Sequence, residues 1–398
     1  MKVFRNKIFL SVVLSHLMVD LLNGGRSVLL TYLSGILYLT NAAVGFYSML
    51  YMVASAIVQP LFGYLTDRFG SRWVVTGGVL WIGTFFSIAM LVPPSWTIFF
   101  MILGSVGSGA FHPAGAAQAT LTGKKYMDGQ EASAASYFFL FGEIGFFFGP
   151  ILAGALIQTG GLRAMLSLSI FAIPVGLFAV NSLARMAPER AGEESQSGKE
   201  AARRRSMGIG VIAALVLVAG LQSWVQQNMI VFLPKYLSDL GQTASFYGFS
   251  VSLFLGGSAV GIIIGGRIAD EYGKPHVIFA GMILGIMPLL LIPSAGVTFW
   301  LFVLSALGGL TTGSTYSSII VLAQRLIPGG RGLASGLILG FVFGFGAVGT
   351  WISGALADRM GTASVFTYTA GLCLLAGLLA LALFERKKAV VSPAVLAD

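Results

Sequence analysis

The sequence predicts an all-α membrane protein with twelve transmembrane helices in two pseudo-symmetric six-helix bundles. The 398-residue chain is 56% hydrophobic and only 10% charged, whereas a soluble domain carries about 25% charged residues. A helix needs roughly 20 apolar residues to cross a bilayer. Applied along the chain, that rule predicts spans at 8–37, 42–65, 73–93, 96–121, 131–157, 162–186, 208–237, 243–268, 276–296, 298–323, 331–357 and 361–384.

An internal repeat divides these spans into two halves. Tyr32, Leu33 and Ser34 recur 204 positions later, and Gly63, Asp67 and Gly70 recur 203 positions later as Gly266, Asp270 and Gly273. Such a nearly constant offset indicates a duplicated unit, which is the layout of many secondary transporters. The predicted organisation is a first bundle at 1–187, a polar linker at 188–207, a second bundle at 208–385 and a tail at 386–398.

The basic residues predict the orientation of the bundle. Of the 24 lysines and arginines, 20 fall before the first span, after the last, or in loops on that same side. Basic loops remain cytoplasmic, so both termini are predicted to face the cytoplasm from the inner membrane. The net charge of +9 is then a topology signal, and no nucleic-acid partner is expected. With Cys373 as the single cysteine, neither a disulfide, a metal cluster nor a cofactor is predicted.

A polar stripe runs along the first span. His16, Asp20 and Asn23 fall within roughly 80° of one another on a helix, and Ser27, Thr31 and Ser34 extend the stripe. A carboxylate in hydrocarbon costs a few kcal/mol, so such a stripe normally faces a water-filled cavity or a partner. Histidine titrates near neutral pH, and His16 beside Asp20 is predicted to carry protons. The alternative is a neutral pair that holds the first helix to a neighbour.

Two more ionisable residues lie inside predicted spans. Glu143 occupies the middle of the fifth span, and its repeat mate is Phe343; we predict a third proton-coupling group there. Arg26 points away from the polar stripe. It is expected to form an ion pair with Asp20 or Glu143, and the open alternative is contact with an anionic substrate.

Polar residues also occur at mid-depth in the fourth, seventh and tenth spans. They predict a substrate cavity shared by pseudo-symmetric helices, although polar side chains also join helices at a modest ~0.6 kcal/mol each. The predicted substrate contacts are Asn23, Arg26, His112, Gln227, Asn228 and Tyr316.

The loop after the second span carries a family resemblance. Gly63, Leu65, Asp67, Arg68, Gly70 and Arg72 match a pattern that resembles the loop signature of the major facilitator superfamily. The resemblance implies that this loop latches the two halves on the cytoplasmic side, with Gly266, Asp270 and Gly273 as a degenerate second copy.

Two further resemblances narrow the expectation. Gly145, Gly149 and Pro150 in the fifth span resemble an element of the drug–proton antiporters, where it contributes to gating. The motifs Ser15-His16-x-x-x-Asp20 and Phe111-His112-Pro113 are similar to those of fosmidomycin-resistance-type efflux proteins. The arginine that many proton antiporters carry in the fourth helix is absent.

Together these features predict a monomeric, proton-coupled exporter of a small organic molecule, drug-like or anionic, that works by alternating access. Uptake of an organic anion or nutrient on the same fold is the alternative, with Arg26 as the anion contact. A lipid-modifying enzyme that uses His16 and Asp20 is a third hypothesis, but no nucleophile accompanies the pair. No P-loop, HExxH or GxSxG motif occurs, so we predict neither direct use of ATP nor an enzyme.

Overall fold

The computed structural model describes residues 5–126, 129–183, 209–324 and 331–384. The first half contains α1 (Lys7–Ile36), α2 (Asn41–Phe69), α3 (Ser71–Leu91), α4 (Pro94–Tyr126), α5 (Glu131–Ala164), α6 (Leu166–Ser169) and α7 (Ala172–Leu183). The second half contains α8 (Ile209–Asp239), α9 (Ala244–Tyr272), α10 (Lys274–Ala295), α11 (Phe299–Gly313), α12 (Tyr316–Gln324), α13 (Arg331–Met360) and α14 (Ser364–Ala380). The predicted linker at 188–207 and tail at 386–398 lie outside the described residues.

Eleven segments of the described chain are long and apolar enough to cross a membrane, and one of them, Leu166–Leu183, runs through both α6 and α7. The predicted tenth span, 298–323, is the exception, because it consists of α11 and α12 separated at Ser314 and Thr315. The Ser314 and Thr315 hydroxyls donate to the carbonyls of Thr311 and Thr312 at 2.7 and 2.8 Å. Such local bonds compete with helical hydrogen bonding. The predicted tenth span is therefore formed by two shorter helices that together cover its range.

The two halves repeat each other in local structure as well as in sequence. Thr40 caps α2 by accepting from the Ala43 amide, and Thr243 caps α9 by accepting from the Phe246 amide. At the other ends, Gly70 and Gly273 terminate these helices with φ of +83° and +94°. Only glycine adopts that backbone region without strain. Equivalent positions thus begin and end equivalent helices.

Helix α1 lies against α5 at backbone-to-backbone distance. A Cβ atom built on Gly24 would fall 2.6 Å from the Phe146 carbonyl oxygen, and one on Gly149 would fall 2.8 Å from the Gly25 nitrogen. Gly145 likewise faces the α1 backbone at Leu17. These glycines allow the close approach, and they bring the polar stripe of α1 directly onto α5.

The bundle is closed at one end and open at the other. We call the end where α2 begins the outer end, and the end where α1 begins the inner end. At the outer end, a Cβ on Gly45 of α2 would fall 2.9 Å from the Trp351 Cα of α13. Toward the inner end, none of the described residues lies within 4 Å of a Cβ built on Gly340 or Gly344 of α13. The two halves therefore meet at the outer end and separate toward the inner end.

Candidate functional site

Two histidines flank the Asp20 carboxylate, one on each oxygen. His16 Nε2, one turn earlier in α1, lies 3.0 Å from Oδ2. His112 Nε2, in α4, lies 3.3 Å from Oδ1. The structure therefore joins the predicted proton-coupling pair to a residue that was predicted as a substrate contact. We refer to His16, Asp20 and His112 as the triad.

Backbone carbonyls hold the second nitrogen of each ring. His16 Nδ1 lies 2.7 Å from the Phe138 oxygen of α5, and His112 Nδ1 lies 2.8 Å from the Ser108 oxygen. A carbonyl oxygen only accepts hydrogen bonds, so each Nδ1 carries a proton. Each contact between Nε2 and a carboxyl oxygen then requires one further proton. The triad therefore accommodates two such protons. Without them, the Nε2 lone pairs of His16 and His112 would both face the negatively charged Asp20 carboxylate.

A glycine provides room for the triad. A Cβ atom on Gly142 of α5 would fall 2.5 Å from His16 Cε1 and 2.8 Å from Asp20 Oδ2. The side chains of His16 and Asp20 therefore pack against bare backbone at this position. The sequence analysis missed Gly142, although its spacing of three and seven residues from Gly145 and Gly149 placed it on the same helical face.

Asn23 ties the triad to its surroundings. Its Nδ2 donates to Asp20 Oδ1 and to Ser108 Oγ, both at 2.9 Å. Its Oδ1 accepts from the Tyr51 hydroxyl at 2.6 Å. Both ends of the amide are thus engaged within the protein, and Asn23 connects α1, α2 and α4. Its predicted substrate contact remains a prediction.

Arg26 is buried and makes no ion pair with any acid of the described chain. Its guanidinium carbon lies 4.6 Å from the centre of the Tyr51 ring, and its Nη1 is buried without a hydrogen-bond partner. Only 4% of the residue is exposed. The expected ion pair with Asp20 or Glu143 was therefore wrong, because the guanidinium lies over the Tyr51 ring of α2 instead.

Glu143 lies between the two halves. It precedes Phe147 by one turn on the face of α5 that meets α9, where a Cβ on Gly256 would fall 2.8 Å from the Phe147 ring. The side chain is exposed and interacts electrostatically with Asp20 and with Tyr316 of α12. Within the described chain it has no hydrogen bond or ion pair. Glu143 thus faces the space that opens toward the inner end.

The amides of α8 lie apart from the triad. Asn228 is fully buried, and its Nδ2 donates to Thr369 Oγ1 of α14 at 2.9 Å. Gln227 is 7% exposed, and its Oε1 has no partner among the described residues. The structure therefore places Asn228 against α14 inside the second half, and it brings neither amide to the acids of the first.

The predicted gating residues are separated from the opposite half at the inner end. Asp67 is exposed, Arg68 donates to Tyr64 in its own helix at 3.1 Å, and Arg72 lies over Trp73 at 4.4 Å. Asp270 lies 4.0 Å from Lys274. At the outer end, by contrast, Pro150 contacts the other half, because its carbonyl meets Gly248 of α9.

The triad atoms also have the composition of a metal site. Their candidate ligand atoms lie within 4.8 Å of one another. However, each Nε2 already contacts a carboxyl oxygen directly, so the arrangement is complete with protons alone.

Comparison with known families decides the class of protein. The family model of the Major Facilitator Superfamily matches residues 8–225 and again 212–395. The chain belongs to this superfamily. It is therefore a multi-pass membrane transporter for a small-molecule substrate rather than an enzyme, and the resemblance in the α2–α3 loop is confirmed.

Relatives support both the fold and the narrower resemblance. The fosmidomycin resistance protein of Escherichia coli (strain K12) is 27% identical over 377 residues, which cover 92% of this chain and 90% of that protein. A solved bacterial homologue of the human lysosomal transporter Spinster has a TM-score of 0.79 at 13% identity and covers 96% of this chain and 97% of its own. The nucleoside transporter NupG (D323A mutant) has a TM-score of 0.74 at 17% identity, over 95% of this chain and 100% of its own. The two solved structures support the major facilitator fold.

Proposed function

We propose that this transporter is a proton-coupled exporter of a small drug-like or anionic organic molecule, located in the inner membrane with both termini in the cytoplasm. The observation that carries the proposal is the triad, in which both Nδ1 atoms face carbonyls and both Nε2 atoms face one carboxylate. The charge of such a site changes only when it gains or loses a proton. A site whose charge depends on protons can favour one conformation over the other, and this is how proton movement is coupled to transport.

Protons have a route between the triad and the open space. His112 has 31% of its side chain exposed, whereas His16 and Asp20 have 4% and 7%. His112 would therefore receive or release the proton, and Asp20 and His16 would store it. The other charged or titratable groups around the triad are Arg26 of α1, Tyr51 of α2 and Glu143 of α5.

The direction of transport rests on the relatives and on the motifs. The relative from Escherichia coli is named for resistance to fosmidomycin, and resistance is the expected result of export. The alternative of anion uptake draws on the unpartnered Nη1 of Arg26. That group is buried beside Tyr51 rather than open to the space between the halves, so we favour export.

The test uses purified protein in liposomes with an imposed pH gradient and fosmidomycin as the first probe. We expect gradient-driven movement with the wild type and none with Asp20→Asn, while exchange of labelled for unlabelled probe without a gradient continues. Glu131→Gln, which removes an exposed acid at the start of α5, is the matched control. Gradient-driven movement by Asp20→Asn at the wild-type rate would refute proton coupling at the triad. Loss of anion binding in Arg26→Gln together with a normal Asp20→Asn would instead favour uptake.

A further inference from the structure

Four helices of the bundle carry the same eight-residue pattern at or near one end, although two of them carry it at the inner side and two at the outer side. The pattern is Gly-x-Leu/Ile-x-Asp/Gln-x-x-Gly. It ends α2 at Gly63–Gly70, α9 at Gly266–Gly273 and α13 at Gly354–Gly361. In α5 it occupies Gly154–Gly161, where the helix kinks at Gly161 shortly before its last residue, Ala164. The last glycine has a positive φ in all four copies, at +83°, +63°, +94° and +84°. The shared sequence thus has a shared backbone shape.

The copy in α13 binds the beginning of α2 across the two halves. Asp358 Oδ1 accepts from the Asn41 amide at 2.7 Å, and Oδ2 accepts from the Ala42 amide at 2.9 Å. The Ala43 amide donates instead to Oγ1 of Thr40, the residue that directly precedes α2. The first amides of a helix have no partner within the helix, and its dipole favours an anion at this end. Asp358 therefore completes the cap of α2 from the opposite half.

The copy in α5 makes the pseudo-symmetric contact with α9. Gln158 Oε1 accepts from the Ser245 amide at 3.2 Å. The glycine that begins each outer copy lies against the backbone of the opposite half: Gly154 packs on Ala244 and Gly354 packs on Asn41. Gln158 is neutral and offers one oxygen, whereas Asp358 is charged and uses two. The contact made by Asp358 is the stronger of the two.

The inner copies are disengaged in the same structure. Asp67 is exposed and has no partner in the described chain, and the Cβ position of Gly63 meets only Pro113 of its own half, at 3.9 Å. Asp270 faces Lys274 of its own half. Helices α2 and α13 run in opposite directions, so the Asp67 end of α2 and the Asp358 end of α13 lie at opposite ends of the same helix pair.

We propose that Asp358 and Gln158 form a set of latches at the outer end, opposed to the inner loops, whose latching role the family resemblance already implies. Asp358 and Gln158 hold the outer end closed by binding the first amides of α2 and α9. Each outer latch is a side-chain oxygen that caps the helix start of the opposite half, so it must release when the outer end opens. Asp358 is the dominant outer latch, and it sets the population of the state that opens toward the inner end.

The experiment measures conformation without transport, so its result is independent of the proposed proton coupling. Spin labels at Trp96→Cys and Trp300→Cys, both exposed at the outer end, report opening of that end in lipid nanodiscs by pulsed electron resonance. Labels at Tyr126→Cys and His276→Cys report the inner end. The native Cys373 is fully buried and serves as the unlabelled background.

We expect Asp358→Ala to raise the ratio of outer-open to outer-closed molecules by about tenfold, since the loss of a helix cap has about that effect. The inner pair should shorten in the same sample. Asp67→Ala should shift both distances in the opposite direction, and the double variant should return toward the wild type, which a misfolded protein cannot do.

Gln158→Asp should strengthen the outer latch and oppose the effect of Asp358→Ala. Arg359→Gln, next to Asp358 and exposed, is the control and should leave both distances unchanged. Unaltered distances in Asp358→Ala, or a Gln158→Asp variant that opens the outer end, would overturn the proposal.

Discussion

His112 Nε2 lies 3.3 Å from Asp20 Oδ1, and this contact links the most exposed member of the triad to its buried carboxylate. His112 is anchored on its other side by the Ser108 carbonyl, one turn earlier in α4. The ring is therefore fixed at both nitrogens and positioned to pass a proton between Asp20 and the space between the halves. His16 has the same arrangement toward the Phe138 carbonyl but is almost fully enclosed.

This asymmetry predicts different effects for the two histidines. His112→Gln retains a polar group but carries no proton at this position, so the rate of gradient-driven transport should fall on the order of a hundredfold, as for loss of a proton-transfer group. His276→Gln, at the exposed inner end of α10, is the control. An unchanged rate in His112→Gln would remove this residue from the proton route.

The contrast between His112 and Glu143 shows what could be predicted from the sequence. Periodicity along α1 was sufficient to group His16, Asp20 and Asn23, since they share one helix. The contact with His112 depends on the rotation of α4 about its own axis, which one sequence does not specify. The exposure of Glu143 was also out of reach, because it depends on which end of the bundle is closed. The pattern at Gly354–Gly361, by contrast, is readable in the sequence beside Gly63–Gly70, because it consists only of residue types at a fixed spacing.

The close contact at Gly142 predicts a substitution that disturbs the site without removing a polar group. Gly142→Ala would place a methyl group 2.5 Å from the His16 ring, so the imidazole must move away from Asp20. Such overpacking costs typically about 1–3 kcal/mol, although alanine favours the helix. We expect a lower unfolding temperature and loss of gradient-driven transport.

Gly77→Ala in α3 is the matched control, because no residue in the described part of the chain lies within 4 Å of its Cβ position. It should keep transport intact and leave the unfolding temperature equal or slightly raised. If Gly142→Ala kept both transport and the unfolding temperature, as expected for Gly77→Ala, the close packing of the triad on α5 would not be required for function.

The hydrogen bond between Tyr51 and Asn23 predicts a cost in stability. Tyr51 is buried and its hydroxyl donates to Asn23 Oδ1 at 2.6 Å, so Tyr51→Phe leaves that oxygen without a donor. A buried acceptor without a partner costs about 1–3 kcal/mol in the free energy of unfolding. Denaturant unfolding in detergent measures this difference. Tyr38→Phe, at a residue that is 93% exposed, should have no effect, and equal stability of the two variants would contradict the described network.

Glu143 offers a way to separate a second proton carrier from the triad. The side chain is exposed between the halves and has no ion-pair partner in the described chain, so its charge acts on whatever enters that space. Two independent carriers should release protons additively when probe binds to protein in weakly buffered solution. We expect Glu143→Gln to remove one part of the released protons and Asp20→Asn the other, with none released by the double variant. Glu131→Gln should release as many protons as the wild type. If Asp20→Asn alone abolished the whole release, Glu143 would act on the substrate through its charge and would carry no proton in the cycle.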